Sequence, residues 1–224
     1  DVDPGAPFLR VGYYDNPPKI LRNEQGEPDG FWPALVAELA RREGWRLAWV
    51  YGSWGELTDK LQRGEIDVLP DVAHTDLRKE RFFFNHEIVL VSWSRVYAQP
   101  GVRVQTIPDL QGLRVAVLKD SVNYLGEEGI ESLLRRFDVS TSFVECDSYE
   151  DVFAALAQGR ADVGVANKDV GSRYEADFQV SRTPIIFSPA SLYFAFAPAL
   201  RGRDALIERI DQHLVRMKSN NASQ

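Results

Sequence analysis

"SWGELTDKLQRGEIDVL", Ser53 to Leu69, and "SYEDVFAALAQGRADVG", Ser148 to Gly164, can be laid over each other place by place. Each starts with Ser and an aromatic residue, carries an acid at the fourth place, and ends on Gly followed by Asp-Val. Ser53 with Glu56 and Ser148 with Asp151 have the spacing of a capping box, in which side chains satisfy the free amides of a helix start. Leu57/Leu61 and Val152/Leu156 stand at helical spacing, Gly64 and Gly159 terminate the helices, and Asp67-Val68 and Asp162-Val163 enter short apolar strands.

The likeness extends upstream. "LRVGYY" from Leu9 and "LRVAVL" from Leu113 read as strands. Each is followed by a helical pattern. Phe31 to Glu43 has Phe31, Leu35 and Leu39 on one expected face, Pro33 near the start and Gly44 past the end; Tyr124 to Phe137 is its counterpart. Strands Arg46–Tyr51 and Thr141–Glu145 come next. Strand–helix–strand–helix–strand thus occurs twice, the order that gives parallel sheets with helices on both faces. The expected fold is α/β, two-lobed, with a ligand cleft between the lobes. Residues 1–97 plus 191–224 form the first lobe and 98–190 the second, with crossings near Tyr97–Val102 and Ile186–Ala190.

In open parallel sheets ligands gather beyond the carboxyl ends of the strands. Polar groups collect at all four such places: Asp71 to Arg78, Asn167 to Asp169, Tyr14-Asp15-Asn16 and Lys119-Asp120-Ser121. Arg78 is expected at the start of a short helix capped by Thr75 or Asp76. Asp71 follows Pro70 at a strand end, where a buried charge without a partner would be costly. Tyr14 and Trp54 are candidate walls of a pocket, since a flat ring buries a large area with little entropy loss. Phe82, Phe83 and Phe84 are expected mostly in the core, with at most one reaching the ligand, and Trp32, Trp45 and Trp93 are expected to serve packing. Asp67 and Asp162, at matching places of the repeat, are expected to be structural.

Composition narrows the function classes. The 224 residues are 44% hydrophobic and 26% charged, with a net charge of −7, which argues against a nucleic-acid partner. No apolar run is long enough for a membrane span, and Asp1-Val2-Asp3-Pro4-Gly5 reads as a mature or trimmed end. One cysteine, Cys146, excludes an internal disulfide or a multi-cysteine metal site. His74, His86 and His213 do not stand at metal spacing, so no metal or cofactor is expected. Ser121 lacks a Gly-x-Ser-x-Gly elbow, and there is no phosphate loop or dinucleotide fingerprint; the domain is expected not to be an enzyme.

"VGYYDNPPKILRNEQGEPDGFWPALVAELA", "GEIDVLPDVAHTDLRKERFFFN", "LQGLRVAVLKDS" and "GRADVGVANKDVG" together resemble bacterial extracellular solute-binding proteins of family 3, the type 2 periplasmic binding fold. The resemblance implies that the Thr-x-x-Arg step, Thr75-Asp76-Leu77-Arg78, supplies an arginine for a ligand carboxylate, a bidentate match of planar groups. It implies that Ser121 and Val122 occupy the turn that offers backbone N–H groups to the same carboxylate, here without the family's glycine. The acid that takes an α-ammonium in amino-acid binders falls on Asn167, which points away from plain α-amino acids unless Asp71 supplies the charge. The ligand-binding set is therefore Arg78, Tyr14, Asp71, Ser121, Val122, Asn167, Trp54 and Thr75.

"LPDVAHT", "VSWSRVYA" and "TPIIFSPASLYFAFAP" resemble more closely the extracytoplasmic sensor domains of membrane-bound histidine kinases and diguanylate cyclases. That implies a periplasmic sensor closing around a small polar, carboxylate-bearing or amino-acid-like ligand. It also implies tethering to the inner membrane through a segment absent from this chain, and homodimerisation of the full-length protein. A free solute-binding protein of a transporter is the second reading and a dehydratase-type enzyme the third.

Overall fold

The structure, a computed structural model, describes residues 8–221. In chain order the strands and helices are β1 (Phe8–Tyr13), β2 (Leu21–Arg22), β3 (Pro28–Asp29), α1 (Phe31–Glu43), β4 (Arg46–Tyr51), α2 (Trp54–Gln62), β5 (Val68–Ala73), α3 (Asp76–Lys79), β6 (Phe83–Phe84), β7 (Leu90–Ala98), β8 (Arg114–Leu118), α4 (Val122–Leu125), α5 (Ile130–Arg136), β9 (Ser142–Cys146), α6 (Tyr149–Ala157), β10 (Val163–Asn167), α7 (Lys168–Asp177), β11 (Ser181–Phe196) and α8 (Arg203–Asn221). Two compact units emerge. Unit 1 is Asp1–Tyr14, Lys19–Val91 and Ser191–Gln224; unit 2 is Asp15–Pro18 and Ser92–Ala190. The first division falls at Val91/Ser92, upstream of the expected Tyr97/Ala98, and the short piece Asp15–Pro18 goes with unit 2.

In unit 1 the strand order is β4-β1-β5-β11. β1 runs parallel to β4 and β5, and β11 is antiparallel to β5. Ser53 and Glu56 close the expected capping box on α2. Leu57 and Leu61 of that helix are fully buried with Ile66 and Leu69, each worth about 2 kcal/mol of transfer from water. On α1 the buried face is Trp32, Val36, Leu39 and Ala40. The expected face through Phe31 is one position out of phase, and Phe31 is exposed.

Unit 2 repeats the plan with β9, β8 and β10 parallel and β7 antiparallel to β10. Strand alternation splits its core in two. Val115 and Val117 of β8 pack with Ile130, Leu134 and Val163, whereas Ala116 and Leu118 pack with Val152, Phe153 and Leu156. The expected helix Tyr124–Phe137 is broken into α4 and α5. Gly126 and Gly129 make the break. A Cβ at either would collide with a backbone oxygen, that of Val122 or of Tyr124.

The repeat has a charged counterpart. Asp67 accepts from the Arg10 backbone N–H at 2.8 Å and from its guanidinium at 2.7 and 3.0 Å. Asp162 does the same for Arg114 at 2.8, 2.7 and 3.1 Å. Each pair ties the strand entering the sheet to the end of the next helix unit, which gives Asp67 and Asp162 the structural role expected of them. Of the three phenylalanines only Phe82 is buried. Phe83 is exposed, with the Arg203 guanidinium over its ring at 3.3 Å, which corrects its placement in the core.

Candidate functional site

In unit 1, Asp71 lies within β5 rather than past its end, at the place where the pairing of β5 with β11 shifts register between Leu69 and Val72. Asp71 has φ 63°, a left-handed conformation that is uncommon for L residues other than Asn and Asp. Its carboxylate is engaged on both oxygens. Oδ1 accepts from Lys19 Nζ at 2.8 Å and Trp32 Nε1 at 2.9 Å, and Oδ2 from the Tyr14 hydroxyl at 3.0 Å. The Asp71 side chain is 0% exposed and that of Lys19 7%. The charge that would be costly alone is met by an opposite charge and two neutral donors.

Thr75 caps α3 by accepting from the Arg78 backbone N–H at 3.3 Å. That cap fixes the Arg78 backbone and explains the Thr-x-x-Arg spacing. The Arg78 guanidinium donates to the Ala73 carbonyl at 3.2 Å and lies 4.9 Å from the Trp54 ring centroid. Trp54 in turn meets Tyr14 edge-on at 5.1 Å. Lys19, Asp71, Tyr14, Trp54 and Arg78 are therefore one continuous cluster. Beside it, His74 packs edge-on against Phe84 and tilted against Tyr193. Burial pushes its imidazole below the ordinary value.

Sequence reasoning missed Lys19 and the polar role of Trp32. A buried acid demands a cation, and Lys19 stands in "NPPKIL", just ahead of the fully buried Ile20. That context was the available signal. The ring of Trp32 is indeed packed, against Phe194 at 5.1 Å, but its N–H has a partner of its own.

In unit 2, Asn167 caps α7. Its Oδ1 accepts from the Val170 N–H at 3.1 Å and its Nδ2 donates to Asn16 Oδ1 at 2.9 Å. Asp169 is paired with Lys168 at 2.6 Å, and the Lys168 ammonium lies 5.0 Å from the Trp93 ring. Ser121 stands at the N-cap of α4, immediately before Val122, without forming a side-chain cap. Its hydroxyl is buried and has no hydrogen-bond partner among the described residues, an arrangement that native interiors avoid unless another group satisfies it.

The fold is that of the type 2 periplasmic binding proteins. Residues 9–104 match the bacterial extracellular solute-binding proteins, family 3. Over 217 residues the chain is 22% identical to a probable amino-acid-binding protein, YxeM of Bacillus subtilis (strain 168), covering 95% of this chain and 79% of that protein. The holo form of ArgBP from T. maritima superposes with a TM-score of 0.80 at 25% identity, over 94% of this chain and 90% of that one. A histidine kinase sensor domain with similarity to periplasmic binding proteins gives 0.80 at 20% identity, over 97% and 92%. The resemblance to family 3 read from the sequence therefore holds.

Proposed function

We infer that this chain is an extracytoplasmic module that binds a small carboxylate-bearing ligand and serves as the sensor of a transmembrane signalling protein. The observation that carries the binding reading is the seat of Arg78, a planar guanidinium backed by an indole and held by a capped turn. This is how a protein presents a fork to a carboxylate. The unpartnered hydroxyl of Ser121 is a second proposed ligand group, with Val122, Asn167, Tyr14, Trp54 and Thr75 around or beneath the ligand. Asp71 is reassigned to a positioning role, because its oxygens are engaged within the chain. The match to extracellular solute-binding proteins supports a site outside the cytoplasm. The kinase sensor domain that aligns with 97% of this chain supports the sensor role.

Ligand binding signals only if one conformational state binds the ligand more tightly than another. Small molecules released from the denatured protein and identified by mass spectrometry supply the ligand for titration. Arg78→Ala is expected to weaken its binding by about 2–5 kcal/mol, the range for truncating one partner of a buried charge pair. Binding within twofold of wild type would show that Arg78 is not the seat.

The second reading, a free binding protein that delivers cargo to a transporter, is favoured by the likeness to YxeM. The reading frame beyond Gln224 separates the two. A membrane helix supports the sensor, and a stop codon supports the carrier.

A further inference from the structure

In unit 1, the outer face of α8 and strand β6 enclose a groove of 820 Å³. Its wall is apolar. Phe83 and Val215 stand 45% and 50% exposed there, with Phe84 and Ile207 beside them. An apolar groove left open to water marks a surface that a partner covers. The charges along the groove indicate which partner. Asp211 is spent within the chain on the turn at Asn85–Glu87. Glu208 and Arg216 both line the groove and are exposed, and neither has an ion pair among the described residues; Glu208 only accepts a long hydrogen bond from Gln212, at 3.4 Å. The two lie about two turns apart on one helix, roughly 12 Å. A rim of one sign would call for a partner of the other. A rim with one acid and one base is complementary to itself.

We propose that the groove is filled by α8 of a second copy of this chain, laid antiparallel across a twofold axis at Gln212. In that register Glu208 of each copy faces Arg216 of the other, so both charges are matched at once. Val215 of each copy comes level with the Glu208 turn of the other, beside Ile207 and the phenylalanines of β6, and an apolar residue covers the apolar wall. Laid parallel, the same helices would set Glu208 on Glu208 and Arg216 on Arg216, and like charges repel. The other cations of α8 do not compete for Glu208, because Arg209 is held by Glu43 and Lys218 by Glu87. The proposal concerns α8 and β6 alone and does not depend on the ligand or on Arg78.

Sedimentation equilibrium of the 224-residue chain is the test, with thermal melts to establish that each variant folds. Wild type is expected to pair at about 100 μM protein and to pair more weakly as salt rises. Glu208→Arg or Arg216→Glu alone sets like charges face to face, and either is expected to weaken pairing at least about tenfold. Both sites are exposed, so both variants are expected to melt with wild type. Glu208→Arg/Arg216→Glu reverses both charges, restores the match and is expected to recover the wild-type dimer. A chain that stays monomeric up to about 1 mM overturns the proposal, also where the groove instead takes a foreign peptide or a vesicle of anionic lipid. A dimer that both single reversals leave intact is held by another face and overturns it as well. A double variant that pairs as weakly as the single ones overturns the antiparallel register, and the proposal with it.

Discussion

Arg10 and Asp67 grip each other twice through their side chains, at 2.7 and 3.0 Å, while the Arg10 backbone N–H adds a third bond at 2.8 Å. Arg114 and Asp162 reproduce the arrangement in unit 2. The Arg114 guanidinium holds the Asp162 carboxyl below its ordinary 3.8, against the opposing effect of burial. A carboxyl lowered in the folded state stabilises above its unfolded pKa and loses that contribution as pH falls through the folded one. Asp162→Ala should therefore cost about 1–2 kcal/mol near neutral pH, discounted because the arginine is partly solvated. The difference from wild type should shrink below about pH 3.8. Urea unfolding across that range is the check, and an equal difference at low and neutral pH would refute the assignment.

Gly171 offers a sharper structural test. A Cβ there would land on the ring and hydroxyl of Tyr97, which is 1% exposed and cannot swing away. Overpacking of this kind costs about 1–3 kcal/mol, and the severity of the overlap puts Gly171→Ala at the upper end. Pairing it with Tyr97→Leu should return part of the loss. If Gly171→Ala melts with wild type, Gly171 does not approach the Tyr97 ring this closely.

The Asp211 carboxylate of α8 gathers the segment that follows β6. It accepts from Asn85 Nδ2 at 2.9 Å, His86 N at 3.0 Å and Glu87 N at 2.9 Å, with the His86 ring at 2.8 Å. Burial alone would raise this carboxyl, yet the converging N–H groups leave it lowered. Asp211→Ala strands several donors and should cost about 2–3 kcal/mol. Hydrogen exchange at His86 and Glu87 should rise in parallel. Unchanged protection there would mean that the turn is held by something other than α8.

Arg78→Lys separates charge from shape. Lysine keeps the positive charge but loses the fork and the flat face against Trp54. Calorimetry with the co-purified ligand should show partial recovery relative to Arg78→Ala, and recovery to wild-type affinity would argue for a point-charge contact.

The halves of the molecule were legible because their signals are local and duplicated. Ser53/Glu56 and Ser148/Asp151 announce helix starts, and the continuous apolar run in "LRVAVL" announces a strand buried on both faces. The helix pattern from Tyr124 was misread because apolar spacing ran across Gly126 and Gly129, whose need for open backbone shows only in three dimensions. The phase of α1 was misjudged because Phe31 and Trp32 are neighbours and burial chose the second. Among the candidate site residues, the Thr75 cap on Arg78 was legible from spacing and the position of Asn167 at a strand end from the apolar run before it. The occupant of Asp71 was not, because Lys19 lies 52 residues away in sequence and no periodic pattern connects them.

The placement of Arg78 over Trp54 has an optical consequence. Indole emission responds to charge near its ring, and the guanidinium is held against that face by electrostatic attraction. A ligand that draws Arg78 toward itself alters the brightness or colour of Trp54 with no dye attached. Trp32, hydrogen-bonded to the Asp71 carboxylate away from solvent, and the other three tryptophans contribute the background. A Trp54→Phe variant identifies which part of the signal belongs to the site, so the protein can report its own occupancy in a fluorimeter before its ligand has been named.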